Sequence, residues 1–133
     1  MENGEARAII RECAAASAAG RTGFGEVVIR LSAAGVERYQ VDFQLGDTRY
    51  YLADGTVEVV ASHHGVVASG FSADGIAAAV RGAQAGTLAY PEFCRLVMAA
   101  GCVGYVASMV GKRVVYSGRT GDAHVEWFPN AKE

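Results

Sequence analysis

Ala33-Ala34-Gly35-Val36-Glu37-Arg38-Tyr39 returns later in the chain as Ala99-Ala100-Gly101-Cys102-Val103-Gly104-Tyr105. The two copies lie 66 positions apart, half of the 133-residue sequence. The same offset relates Ala19-Gly20 to Ala85-Gly86, Glu26 to Glu92, Tyr50 to Tyr116 and Gly55 to Gly121. Alanine and glycine are common here, so identity alone weighs little. The matched residues also do matching jobs. Gly20 and Gly86 each end an alanine-rich stretch. Gly35 and Gly101 each end an amphipathic one, where a helix favours a left-handed residue. A duplicated unit is the reading this supports.

Outward from those glycines, each half has the same plan. Glu5 to Ala19 carries Ile9, Cys13 and Ala16 on one stripe, a helix. Thr22 is placed to cap a second helix. Phe24, Val27, Val28, Leu31 and Ala34 then recur at helical spacing, with Glu26 and Arg30 outward. Tyr39, Val41, Phe43 and Leu45 alternate with polar residues, the pattern of a half-buried strand. Gly46-Asp47 suits a two-residue hairpin turn, and Asp54-Gly55 a second one. Thr48 to Leu52 and Thr56 to Val60 complete three strands. Ala61 to Gly70 reads as a linker. In the second half, Ser72 is placed to cap a helix that runs from Ile76 to Ala85. Pro91 and Glu92 open another. Strands follow at 105–110, 112–117 and 123–128. The expected fold is therefore α+β in one domain, residues 1–133. It contains two α-α-β-β-β halves (about 5–62 and 70–129), with helices packed on antiparallel sheet about a pseudo-twofold axis. Each half alone would be marginal, so one shared core is expected.

Bulk numbers exclude several functions. Net charge is −2, and Lys112 and Lys132 are the only lysines, so nucleic acid is not an expected partner. No apolar run approaches the ~18 residues of a membrane span. Three cysteines without paired spacing (Cys13, Cys94 and Cys102) suit a reducing cytoplasm. His63, His64 and His124 lack ligand spacing for metal. Gly118 to Asp122 reads as a turn between strands rather than a phosphate loop, since no helix follows it. No cofactor motif is present.

With two-residue turns, Asp42 stands opposite Tyr51, and Arg49 opposite Gln44. That places Gln40, Asp42, Arg49 and Tyr51 together on one polar sheet face. The second half has Val106, Ser108, Val115 and Ser117 at the matching places. These four polar residues are the candidate ligand site, at the break in symmetry. The apolar character of Val106, Val110 and Val115 implies cover from the other sheet, a curled sheet or a second copy of the chain in a homodimer. Tyr39, Tyr50, Tyr105 and Tyr116 are expected in the core, with hydroxyls that need partners.

The segments 33–42, 49–55, 90–94, 98–105 and 124–129 resemble a bacterial family grouped as YbcV-like and often labelled "phage envelope protein". The resemblance spans about Ile9 to Pro129. It implies no activity and carries no site residue. The leading functional expectation is a non-enzymatic cytoplasmic domain that binds a small molecule or a protein partner. The alternatives are an enzyme using Asp42, Tyr51 or His124 as acid or base, and a phage-derived structural or assembly protein.

Overall fold

A computed structural model describes residues 3–129. Its helices are α1 (Asn3–Ala18), α2 (Phe24–Ala33), α3 (Ala73–Gln84) and α4 (Tyr90–Ala99). Its strands are β1 (Val36–Asp42), β2 (Asp47–Leu52), β3 (Val57–Ala61), β4 (Cys102–Ser108), β5 (Arg113–Gly118) and β6 (Ala123–Trp127). The order is α-α-β-β-β, twice. All six strands form one antiparallel sheet in the order β3-β2-β1-β4-β5-β6. The two three-stranded meanders therefore join edge to edge through β1 and β4.

The join is symmetric at the level of single residues. Gln40 pairs with Val106, its own equivalent at the 66-residue offset, so the local twofold axis passes through that pair. Both first strands carry a bulge at the same place, Glu37 and Val103. A bulge frees a carbonyl from the regular ladder. Each freed carbonyl is taken by the other half: the Phe43 amide donates to Val103 at 2.9 Å, and the Met109 amide to Glu37 at 2.9 Å.

The helices cover one face. Ile10 and Ile76 are equivalent and fully buried, as are Leu31 and Val97. Ser72 caps α3 as its position suggests, accepting from the Gly75 amide at 3.0 Å. Thr22 does not cap α2; Gly23 occupies that position with no side-chain bond. Glu58 on β3 is buried against α1, where Arg11 approaches it at 2.6 Å and Arg7 at 3.6 Å. The Arg11 contact is a charge contact, because Oε2 of Glu58 has no aligned hydrogen bond.

The hairpins depart from the two-residue turns. Asp42 pairs with Asp47 and Ser108 with Arg113, so each loop has four residues. A side chain at the same position stabilises both loops. Asp42 Oδ1 accepts from the Gln44 and Leu45 amides at 3.0 and 2.9 Å, and Ser108 Oγ accepts from the Gly111 amide at 2.8 Å. The loop then needs a left-handed residue. Gly46 supplies it at φ 84°, and Lys112 fills the same place at φ 54°. A non-glycine residue pays a steric penalty there, so Lys112→Gly should raise the unfolding free energy by about 0.5–1 kcal/mol in urea melts. A lower or unchanged midpoint would show that the Lys112 backbone is unstrained.

Candidate functional site

The register moves every expected cross-strand pair. Gln40 faces Arg49, Arg38 faces Tyr51 and Asp42 faces Asp47. The shift from the two-residue register is even in both halves, so each side chain keeps its expected face. Gln40, Asp42, Arg49 and Tyr51 thus lie on the face away from the helices. Gln40 and Arg49 face each other, with Asp42 and Tyr51 one pair to either side. Asp42 holds its own turn, Arg49 lies 3.5 Å from Asp47, and Tyr51 lies under the Arg38 guanidinium at 3.8 Å. Gln40 and Asp42 border a shallow hollow of about 140 Å³ that excludes Arg49 and Tyr51. His124 faces the helices, beside Tyr116, so it does not converge with Asp42 or Tyr51.

The larger space lies on the helix side of the sheet. It is a cavity of about 940 Å³, within the range of small-molecule sites. Its floor is a tyrosine ladder across four strands. Tyr50 and Tyr39 are 5.5 Å apart between ring centres, Tyr39 and Tyr105 6.1 Å, and Tyr105 and Tyr116 5.3 Å. The ladder follows directly from the fold. Tyr39–Tyr50 and Tyr105–Tyr116 are equivalent cross-strand pairs, and the central join sets the two pairs side by side.

The walls repeat the same symmetry. Ala14 and Val80, Phe24 and Tyr90, and Val27 and Phe93 are equivalent pairs that line it. The cavity therefore straddles the twofold axis. It stays open partly because α1 and α3 present short side chains to it, including Ala14, Ser17, Ala18 and Ala83. Native interiors are packed to near crystal density; small residues facing a wide sheet cannot reach that density here. His63 and His64, in the segment between the halves, also line the wall.

Five phenols stand among the polar groups of the lining. Tyr90 descends from α4 and its hydroxyl lies 2.7 Å from that of Tyr105. The hydroxyls of Tyr50 and Tyr116 have no hydrogen-bond partner among the described residues. Neither oxygen is fully sealed off. By contrast, Nε2 of His63 is sealed and unpartnered, with its ring against Tyr90. Burial pushes all five phenols (Tyr39, Tyr50, Tyr90, Tyr105 and Tyr116) well above the usual tyrosine range. They are neutral hydrogen-bonding groups at neutral pH. Burial likewise pushes Cys94 up to about 12 and Cys102 up to about 11, so neither is a ready thiolate nucleophile.

Charge is scarce in the lining. Among the described residues it includes no lysine or arginine, and the one carboxylate there is Glu126, 2.5 Å from His124. Among the described residues no group of three or more His, Cys, Asp or Glu is placed to hold a metal ion. No described helix is long and apolar enough to cross a membrane.

Sequence reading found the tyrosines but assigned them to a filled core. The usable signal was present in the alanine-rich first helix of each half, opposite strands with aromatics at equivalent positions. No family model matches the chain, and no curated protein shows significant similarity to it.

Proposed function

We propose that this domain binds a small, largely apolar molecule in the cavity between its helices and its sheet. One observation carries the reading: a space of about 940 Å³, floored by four tyrosines, with the Tyr50 and Tyr116 hydroxyls reachable and unpartnered among the described residues. Apolar walls with a few directed polar groups are the usual make-up of a small-molecule site. An empty space of this size also forfeits dispersion contacts that a guest would restore.

The probe that tests it is prodan, a neutral naphthalene ketone whose emission shifts to the blue on leaving water. Wild type should bind it saturably with a blue shift. Ala83→Trp fills the cavity from α3 and should weaken binding at least about tenfold, in line with loss of the buried contact area. Its melting temperature should not fall. Arg49→Ala, on the opposite sheet face, should bind as wild type does. Undiminished binding by Ala83→Trp, together with loss in Arg49→Ala, would transfer the site to the open face of the sheet.

A further inference from the structure

We infer, resting on that reading, that the cavity selects an uncharged planar molecule bearing a hydrogen-bond-accepting oxygen, such as a ketone or ester, over a carboxylate or a plain hydrocarbon of the same shape. Three features of the lining point the same way. The first is shape. Tyr50, Tyr39, Tyr105 and Tyr116 pave the floor with successive ring centres 5.3–6.1 Å apart. Such a row offers ring faces and edges to a flat guest, and aromatic contacts of that kind add to simple burial.

The second is charge. A buried anion needs a cation or several strong donors, or its desolvation defeats binding. Among the described residues no lysine or arginine lines this cavity; its ionisable nitrogens are the imidazoles of His63 and His64, and Glu126 adds a carboxylate. A fatty acid, a phosphate ester or a nucleotide would therefore meet no guanidinium or ammonium group among the described residues, and a carboxylate beside it. The third is hydrogen bonding. The hydroxyls of Tyr50 and Tyr116 are reachable but unpartnered among the described residues. Burial holds both phenols in the protonated form, so each can donate. A guest with an acceptor oxygen satisfies a donor that a hydrocarbon leaves idle. Tyr90 is less available, because its hydroxyl is already engaged with Tyr105.

The test is displacement of bound prodan by three matched naphthalenes: the acetyl ketone, the ionised carboxylate and the ethyl hydrocarbon. The ketone should bind about fivefold more tightly than the hydrocarbon, the worth of one net hydrogen bond. It should bind at least about tenfold more tightly than the carboxylate. In Tyr50→Phe/Tyr116→Phe the advantage of ketone over hydrocarbon should vanish, while the hydrocarbon affinity stays within about twofold. Neither hydroxyl has a partner among the described residues, so the double variant should melt no lower than wild type. Preference for the carboxylate, or a ketone advantage that survives loss of both hydroxyls, overturns this inference while leaving the cavity as a binding site. Failure of wild type to bind prodan, the ketone and the hydrocarbon alike removes both.

Discussion

Raising the pH from about 8 to about 11 should unfold this domain in a single cooperative step. Five of its six tyrosines stand in the cavity floor and wall, and burial holds every one of the five neutral beyond the usual range. Cys94 and Cys102 are held neutral up to about 12 and about 11 for the same reason. In the unfolded chain a phenol ionises near pH ~10 and a thiol near ~8.5. These are acids with folded pKa values raised above unfolded ones. The folded state therefore binds more protons in that window, and stability falls as pH rises. Below the unfolded pKa values the contribution is fully present. At pH ~11 each phenol kept neutral costs about 1.4 kcal/mol, and five of them about 7 kcal/mol. The two thiols add to this. The total is comparable with the ~5–15 kcal/mol that holds a domain of this size together. Tyrosinate absorbance and helical circular dichroism should change together, near the same pH. Five phenols titrating while the helical signal persists would mean that burial does not hold them neutral.

Gly101→Ala should be among the most damaging single substitutions, although Gly35→Ala, at the equivalent position, is mild. Both glycines lie just past a helix end with positive φ, at 87° and 91°. Both substitutions pay the left-handed penalty of about 1–2 kcal/mol. Only Gly101 is pressed against another backbone. A β-carbon there would lie 2.2 Å from the Gly70 carbonyl oxygen and 2.9 Å from Cα of Phe71, whereas nothing lies within 4 Å at Gly35. Backbone atoms cannot swing aside as a side chain does. The approach also carries a hydrogen bond, from the Ser72 amide to the Ala100 carbonyl at 2.8 Å, which fixes the entry to α3. Gly101→Ala should cost more than about 4 kcal/mol, in the range reserved for named backbone or core defects. Urea denaturation of the two variants side by side gives the comparison. Equal midpoints would show that the segment before α3 moves freely and is not anchored on Gly101.

The architecture was legible because it was stated twice. Gly35 and Gly101 marked the same helix end, and Tyr39 and Tyr105 the same strand, so each half checked the other. Register was not legible. Gly46-Asp47 has the chemistry of a tight turn, but Asp42 reaches forward to the Gln44 and Leu45 amides and holds a wider loop. Ser108 does the same with a different side chain, so the repeat concealed a shared role behind unlike residues. Faces survived the error only because the slips were even. The cavity was hidden for a different reason. Patterning locates apolar side chains, and an alanine facing inward reads as core whether or not its neighbours reach it. Ala14, Ala18 and Ala83 satisfy the pattern and leave the space unfilled.

Two identical subunits pairing their first strands about the Gln40–Val106 axis would build the same sheet and enclose the same space. Every group in such a chamber would have a twin, and a guest could enter either way round with equal energy. In the single chain the twins differ, in the walls and at the two outer edges alike: Val60 on β3 answers to Glu126 on β6, Ser62 to Phe128 and His63 to Pro129. Joining the halves covalently therefore gives the chamber a head and a tail. A molecule with two unlike ends would have one preferred orientation in it.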